Sequence, residues 1–163
     1  MQVAVVDDTQ LNLFLIGKLV DRMQDARAHN FERPTAALEW CLANAPDLII
    51  VDYMMPEMDG LEFIRRIRAC RDRDDLPILM VTASHERDVR YAALDCGASD
   101  FLTKPVDARE FEARVRNMLK LREAHLASRQ RTEILADEVR KATVAILDRE
   151  RETIARLSRA AEF

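Results

Sequence analysis

Glycine occurs three times and tryptophan once in 163 residues, and neither glycine nor proline follows Pro105. Residues 106–163 therefore contain no helix breaker and are mostly good helix formers, which excludes a turn-rich fold for that stretch. Cysteine is equally scarce. Cys41, Cys70 and Cys96 are odd in number, far apart and without a C-x-x-C pair, so neither a disulfide framework nor a cysteine-held zinc is expected. Each is read as a small buried residue of a helix. His29, His85 and His125 match no metal spacing. No apolar run approaches the roughly 18 residues needed to cross a bilayer, and the first strand begins almost at Met1 with no room for a signal peptide. A cytoplasmic location follows as the expectation. Excess positive charge is also missing: the formal net charge is -4, which argues against a nucleic-acid surface.

Apolar residues make up 48% of the chain and charged ones 33%, ample material for one core with an appendage. Up to Pro105, short apolar runs alternate with helical periodicity. Strands are expected near 3–6, 26–31, 47–52, 77–82 and 99–102, with helices near 9–23, 34–44, 59–71, 86–96 and from 107 onward. Five βα units in series give an α/β fold, a parallel sheet covered by helices on both faces. The second strand is the least marked, because charges interrupt it.

The polar residues at the strand ends carry the chemistry. Asp52 closes the run Leu48-Ile49-Ile50-Val51 and precedes a loop bearing Pro56 and Gly60, which places it on the carboxyl rim where ligands of open α/β sheets bind. Strand one ends in Asp7-Asp8, strand four in Thr82, and strand five leads into Lys104-Pro105. Three converging carboxylates repel one another unless a cation compensates them, and an oxygen-only set suits Mg²⁺. Lys104 and the Thr82 hydroxyl then fit an anion with several oxygens, most simply a phosphoryl group. A carboxylate beside Mg²⁺ and a lysine can itself be the nucleophile, forming an acyl phosphate.

Val5-Val6-Asp7-Asp8, the stretch from Asp47 to Gly60, Pro77 to Ala83, and Gly97 to Pro105 together resemble the signature set of response-regulator receiver domains, over about residues 3–121. The resemblance implies a flavodoxin-like sheet of order 2-1-3-4-5 and a receiver domain at residues 1–121. It implies that Asp52 accepts phosphate from a sensor histidine kinase. It assigns Asp8 as a direct Mg²⁺ ligand, Asp7 as a ligand mainly through water, and the Met54 backbone carbonyl as a further one. Thr82 and Lys104 would contact phosphoryl oxygens, and Phe101 would be the aromatic switch that follows Thr82. Such a domain is a signalling phosphoprotein of a two-component phosphorelay rather than a turnover enzyme. Phosphorylation would bias strand four, helix four, strand five and helix five between two states. An Mg²⁺-dependent aspartyl phosphohydrolase is the enzymatic alternative. Enzymes of that kind carry a second acid two residues after the nucleophile, where this chain has Met54.

Residues 122–163 read as a long coiled-coil segment that dimerises the chain. Leu135, Val139, Ala142 and Ile146 follow one heptad seam. Leu147, Ile154, Leu157 and Ala161 follow another, shifted by one residue, so a stutter or a change of face near Ile146 is expected. Between Glu123 and Glu133 only Leu126 is large and apolar, and the helix there is expected to be solvated or frayed. The tail is similar to linkers that precede HD-GYP cyclic-di-GMP phosphodiesterase domains. The chain holds no such domain, so its output is read either as a downstream effector of that kind or as that of a stand-alone receiver and dimerisation adaptor.

Overall fold

The computed structural model describes residues 1–70, 73–83 and 87–161. Residues 71 and 86, expected as helix ends, and His85, Glu162 and Phe163 lie outside them. The elements run β1 (Gln2–Val6), α1 (Gln10–Asp21), β2 (Arg27–Phe31), α2 (Pro34–Asn44), β3 (Leu48–Asp52), α3 (Gly60–Arg68), β4 (Ile78–Thr82), α4 (Arg87–Asp95), β5 (Asp100–Thr103) and α5 (Ala108–Ala161). The sheet has five strands in the order β2-β1-β3-β4-β5, parallel throughout. This is the flavodoxin-like strand order that the resemblance implies, with a long C-terminal helix.

Alternate strand residues feed two cores because successive side chains leave opposite faces of a sheet. Ala4, Val6, Ile49, Val51, Ile78 and Met80 meet α2, α3 and α4 through Ala37, Phe63, Ile64, Ile67 and Ala93. Val3, Val5, Ile50, Leu79, Val81 and Leu102 meet α1 and α5 through Leu13, Ile16, Val20, Phe111 and Val115. β3 and β4 are buried at every position, which is why their sequences are unbroken apolar runs. β2 pairs only with β1 and is half exposed; an edge strand can carry Arg27, His29 and Asn30 without burying them.

Cys41 is buried on α2, where loss of solvent pushes its thiol up to about 12 against a small downward pull from Arg73. Cys70 and Cys96 correct the expectation of three helical, buried thiols. They are partly exposed and sit just beyond α3 and α4, where a turn follows each helix.

At the amino-terminal rim, the Arg68 guanidinium donates from Nη2 to the Leu76 carbonyl at 2.8 Å and to the Gly97 carbonyl at 2.7 Å. Gly97 has φ of 99°, and a Cβ there would meet the Arg68 side chain at 3.0 Å. Glycine is therefore required twice over, for the left-handed backbone and for the close approach.

Met1–Glu123 and Ala124–Phe163 are two compact units. Within the first, Phe111, Val115, Met118 and Leu119 of α5 pack on the sheet. In the second, the described residues are helical through Ala161. The stretch 123–133 is a continuous solvated helix, with no fraying.

Candidate functional site

The sheet register brings the expected residues to one rim. Val6 is level with Val51, Asp52 with Val81, and Thr82 with Thr103, so Asp7, Asp52, Thr82 and Lys104 follow one another around the carboxyl ends of four strands. Asp7, Asp52 and Thr82 are buried, at 1%, 5% and 0% exposure, whereas Asp8 is exposed. Carboxylate oxygens of Asp7, Asp8 and Asp52 all lie within 4.8 Å of one another.

Lys104 reaches into this cluster. Its Nζ stands 2.6 Å from Asp52 Oδ1 and 2.9 Å from Asp7 Oδ2. The Lys104 backbone N–H donates to the Thr82 carbonyl at 2.8 Å, which fixes the start of the side chain beside β4. Asp52 Oδ2 accepts the Met54 N–H at 3.0 Å. Asp7 accepts the Thr9 N–H at 2.9 Å and two bonds from Asn12 Nδ2, at 2.9 and 3.0 Å. Thr9 is the N-cap of α1 but makes no cap bond with its own side chain, so Asp7 holds both the helix entry and the ammonium. Among the described residues, Asp8 accepts only a long bond from the Thr9 hydroxyl, at 3.3 Å.

Burial pushes the Asp52 carboxyl above its usual range; Lys104 opposes this, and the charge of Asp7 adds to it. Burial alone would lower Lys104, yet the hydrogen bonds and charges of Asp52 and Asp7 prevail and hold it above its ordinary value. Lys104 therefore stays cationic at neutral pH against two of the three clustered carboxylates. The excess of negative charge, on oxygen donors alone, fits a hard divalent cation. Asp8 borders an open depression lined also by Tyr53, Met54, Pro56 and Asp59, which gives the cluster access to solvent.

Of the residues expected from the sequence, Asp7, Asp8, Asp52 and Lys104 converge directly. Thr82 is their neighbour through the Lys104 backbone. Met54 follows Asp52 and is 69% exposed. Phe101 stands apart from the acids: it is level with Met80 on β5 and packs half-buried against the α2–α3–α4 core. Two contributors are not evident from strand-end polarity. Asn12 orients Asp7, and its only signal is a polar side chain in the first turn of the helix that Asp7-Asp8 introduces. Gly60 donates its N–H to the Tyr53 carbonyl at 2.9 Å, and a Cβ there would stand 2.5 Å from the Asp52 carbonyl oxygen. The loop after Asp52 folds back this tightly only with glycine at that position.

Known proteins place this arrangement. The family model described as "Response regulator receiver domain" matches residues 3–116. The cyclic di-GMP phosphodiesterase response regulator RpfG of Xanthomonas campestris pv. campestris is 37% identical over 164 residues, covering 100% of this chain and 43% of that protein. The response regulator MprA of Mycobacterium leprae is 45% identical over 84 residues, covering 52% of this chain and 36% of the relative. The chain thus spans less than half the length of these curated relatives. Among solved structures, a putative response regulator from Chloroflexus aurantiacus superposes with a TM-score of 0.66 at 31% identity, covering 73% of this chain and 97% of that one. A putative two-component system response regulator/GGDEF domain protein superposes with a TM-score of 0.70 at 29% identity, covering 76% and 50%. The chain belongs to the response regulator receiver domain family.

Proposed function

We propose that residues 1–121 form a phosphoacceptor switch in which Asp52 receives a phosphoryl group from a sensor histidine kinase. The observation that carries this reading is the Lys104 ammonium, shared at 2.6 and 2.9 Å between Asp52 and Asp7 beside the exposed carboxylate of Asp8. Asp8, Asp7, Asp52 and the Met54 carbonyl would hold Mg²⁺, which supplies charge compensation for the phosphoryl oxygens. An Asp52 carboxylate oxygen attacks phosphorus, the P–N bond to the kinase imidazole breaks, and the leaving nitrogen keeps the electron pair and takes a proton. Lys104 leaves Asp52 for a phosphoryl oxygen while Asp7 retains it, and the Thr82 hydroxyl donates to another. Phe101, two residues before Thr103, follows Thr82 and carries the change to the α4-β5-α5 surface. An apolar groove lined by Leu15, Leu19, Pro105 and Val106 supports docking of the kinase next to Lys104.

The output lies outside this chain. RpfG aligns over the whole of it, tail included, whereas the match to MprA of Mycobacterium leprae covers about half. That supports residues 122–163 as a dimerising linker to a downstream cyclic-di-GMP phosphodiesterase of HD-GYP type, working in the cytoplasm. No helix among the described residues is long and apolar enough to cross a membrane. The aspartyl phosphohydrolase alternative lacks its second acid, since Met54 occupies that position.

Incubation with radiolabelled acetyl phosphate or a phosphorylated kinase should label the wild-type chain in Mg²⁺ and leave Asp52→Asn unlabelled. Labelling of the Asn variant, or undiminished labelling with Mg²⁺ chelated, would overturn the assignment.

A further inference from the structure

The two offset heptad seams of the tail are a single stripe. Leu135, Ile146 and Leu157 recur at an 11-residue interval, which drifts about 20° per repeat around a straight α-helix, as much as a heptad but over a longer stretch and in the opposite sense. Thr132, Thr143 and Ile154 repeat at the same interval three positions earlier, Ala136 and Leu147 one position later, and Val139 and Glu150 four positions later. These four columns occupy an arc of about 120° on a helix of 3.6 residues per turn. Neither heptad seam stays apolar when extended. The first runs on into Arg149, Thr153 and Arg156, and the second runs back into Arg140.

The six large side chains of the stripe, Leu135, Val139, Ile146, Leu147, Ile154 and Leu157, are between 50% and 66% exposed. Charge sits elsewhere on the helix. Asp137 pairs with Lys141 at 2.7 Å and also with Arg140, and Glu152 pairs with Arg156 at 2.7 Å. At 100° per residue all five lie outside the arc. Glu150 is the one charged residue on it.

We infer that the stripe is closed by the same stripe of a second copy of this chain, in parallel and in register, as a coil of 11-residue repeat. The inference rests on the dimeric reading of the tail. A near-balanced charged back and a front whose one charge is Glu150 offer little to a strongly acidic or basic partner. From 132 to 157 the stripe is about 38 Å long. Its six large side chains expose about 500 Å² per helix, so a pair closes about 1,000 Å², near the lower bound for a specific interface. Orientation follows from the gradient along the helix. Parallel in-register pairing sets Ile146, Leu147, Ile154 and Leu157 against their own copies. Antiparallel overlap of 135–157 sets Val139 against Thr153 and Ala142 against Glu150. The parallel arrangement places the two Glu150 carboxylates face to face, so Glu150 limits the affinity.

Single cysteines at 139, 142, 143, 146, 147, 149 and 150 in the full chain carrying Cys70→Ser and Cys96→Ser test the register, with Cys41 left in place because it is buried. Oxidative cross-linking should be strong for Thr143→Cys and Leu147→Cys and weak for Ala142→Cys and Arg149→Cys. Sedimentation equilibrium should show a dimer, tightened tenfold or more by Glu150→Leu. A dimer that cross-links best through 142 and 149 overturns the 11-residue register and leaves the dimeric reading intact. A monomer at tens of micromolar overturns both. Strong cross-links between cysteines at 135 and 157 of different copies overturn the parallel arrangement.

Discussion

Asp52 is held ionised at a cost. Because burial keeps its folded carboxyl above the ordinary value of 3.8, the folded protein binds this proton more tightly than the unfolded chain does. The stabilisation is full below 3.8 and is lost as pH rises through the raised folded value. Asp52→Asn removes that loss, so without Mg²⁺ the variant should unfold at a higher temperature than wild type at neutral pH. The gain should disappear near pH 3, which thermal scans across pH will read. Lys104 has the other sign. Its raised value contributes stability present below 10.5 and lost as pH climbs past the folded value. Lys104→Met strands two buried carboxylates and should cost about 3 kcal/mol, with millimolar Mg²⁺ raising the midpoint of the variant more than that of wild type. Equal responses to Mg²⁺ would argue against the acidic cluster as the cation site.

At the scale of elements, the β3–α3 loop has no room for a side chain at Gly60. Gly60→Ala sets a Cβ 2.5 Å from the Asp52 carbonyl oxygen and 3.0 Å from Tyr53 Cα, both backbone atoms that move only with the strand end. The substitution should cost about 2–3 kcal/mol, in the overpacking range, and slow phosphorylation of Asp52 several-fold, measured as the initial rate with acetyl phosphate. The sequence makes such elements legible unevenly. β3 and β4 are plain because burial on both faces demands unbroken apolar runs. β2 is faint because an edge strand does not. Asp7, Asp52 and Lys104 are legible because a parallel sheet sends all carboxyl ends to one rim. Asn12 and the close approach at Gly60 are not, since each depends on a distance between segments that no spacing along the chain encodes. Cys70 and Cys96 fall beyond the helices expected to hold them for a related reason: helical periodicity does not mark where the last turn ends.

Across the whole molecule, the acid cluster and the apolar tail stripe belong to different compact units. A chain ending at Glu123 should accept phosphate at Asp52 within about twofold of the full-length rate and sediment as a monomer. Loss of phosphorylation in the truncated chain would mean that the tail takes part in the chemistry. Within the first unit the two rims of the sheet are unequal. On one, a partly exposed lysine stands between two buried carboxylates and can exchange one oxygen for another. On the other, one guanidinium fastens the segment entering β4 to the segment entering β5, through the carbonyls of Leu76 and Gly97. β4 and β5 are therefore fastened to each other by a side chain where they begin and by the Lys104 N–H on the Thr82 carbonyl where they end. Under the proposed phosphorylation a shift of Thr82 would pivot about Arg68, with its largest travel at the end of the sheet that carries Asp52.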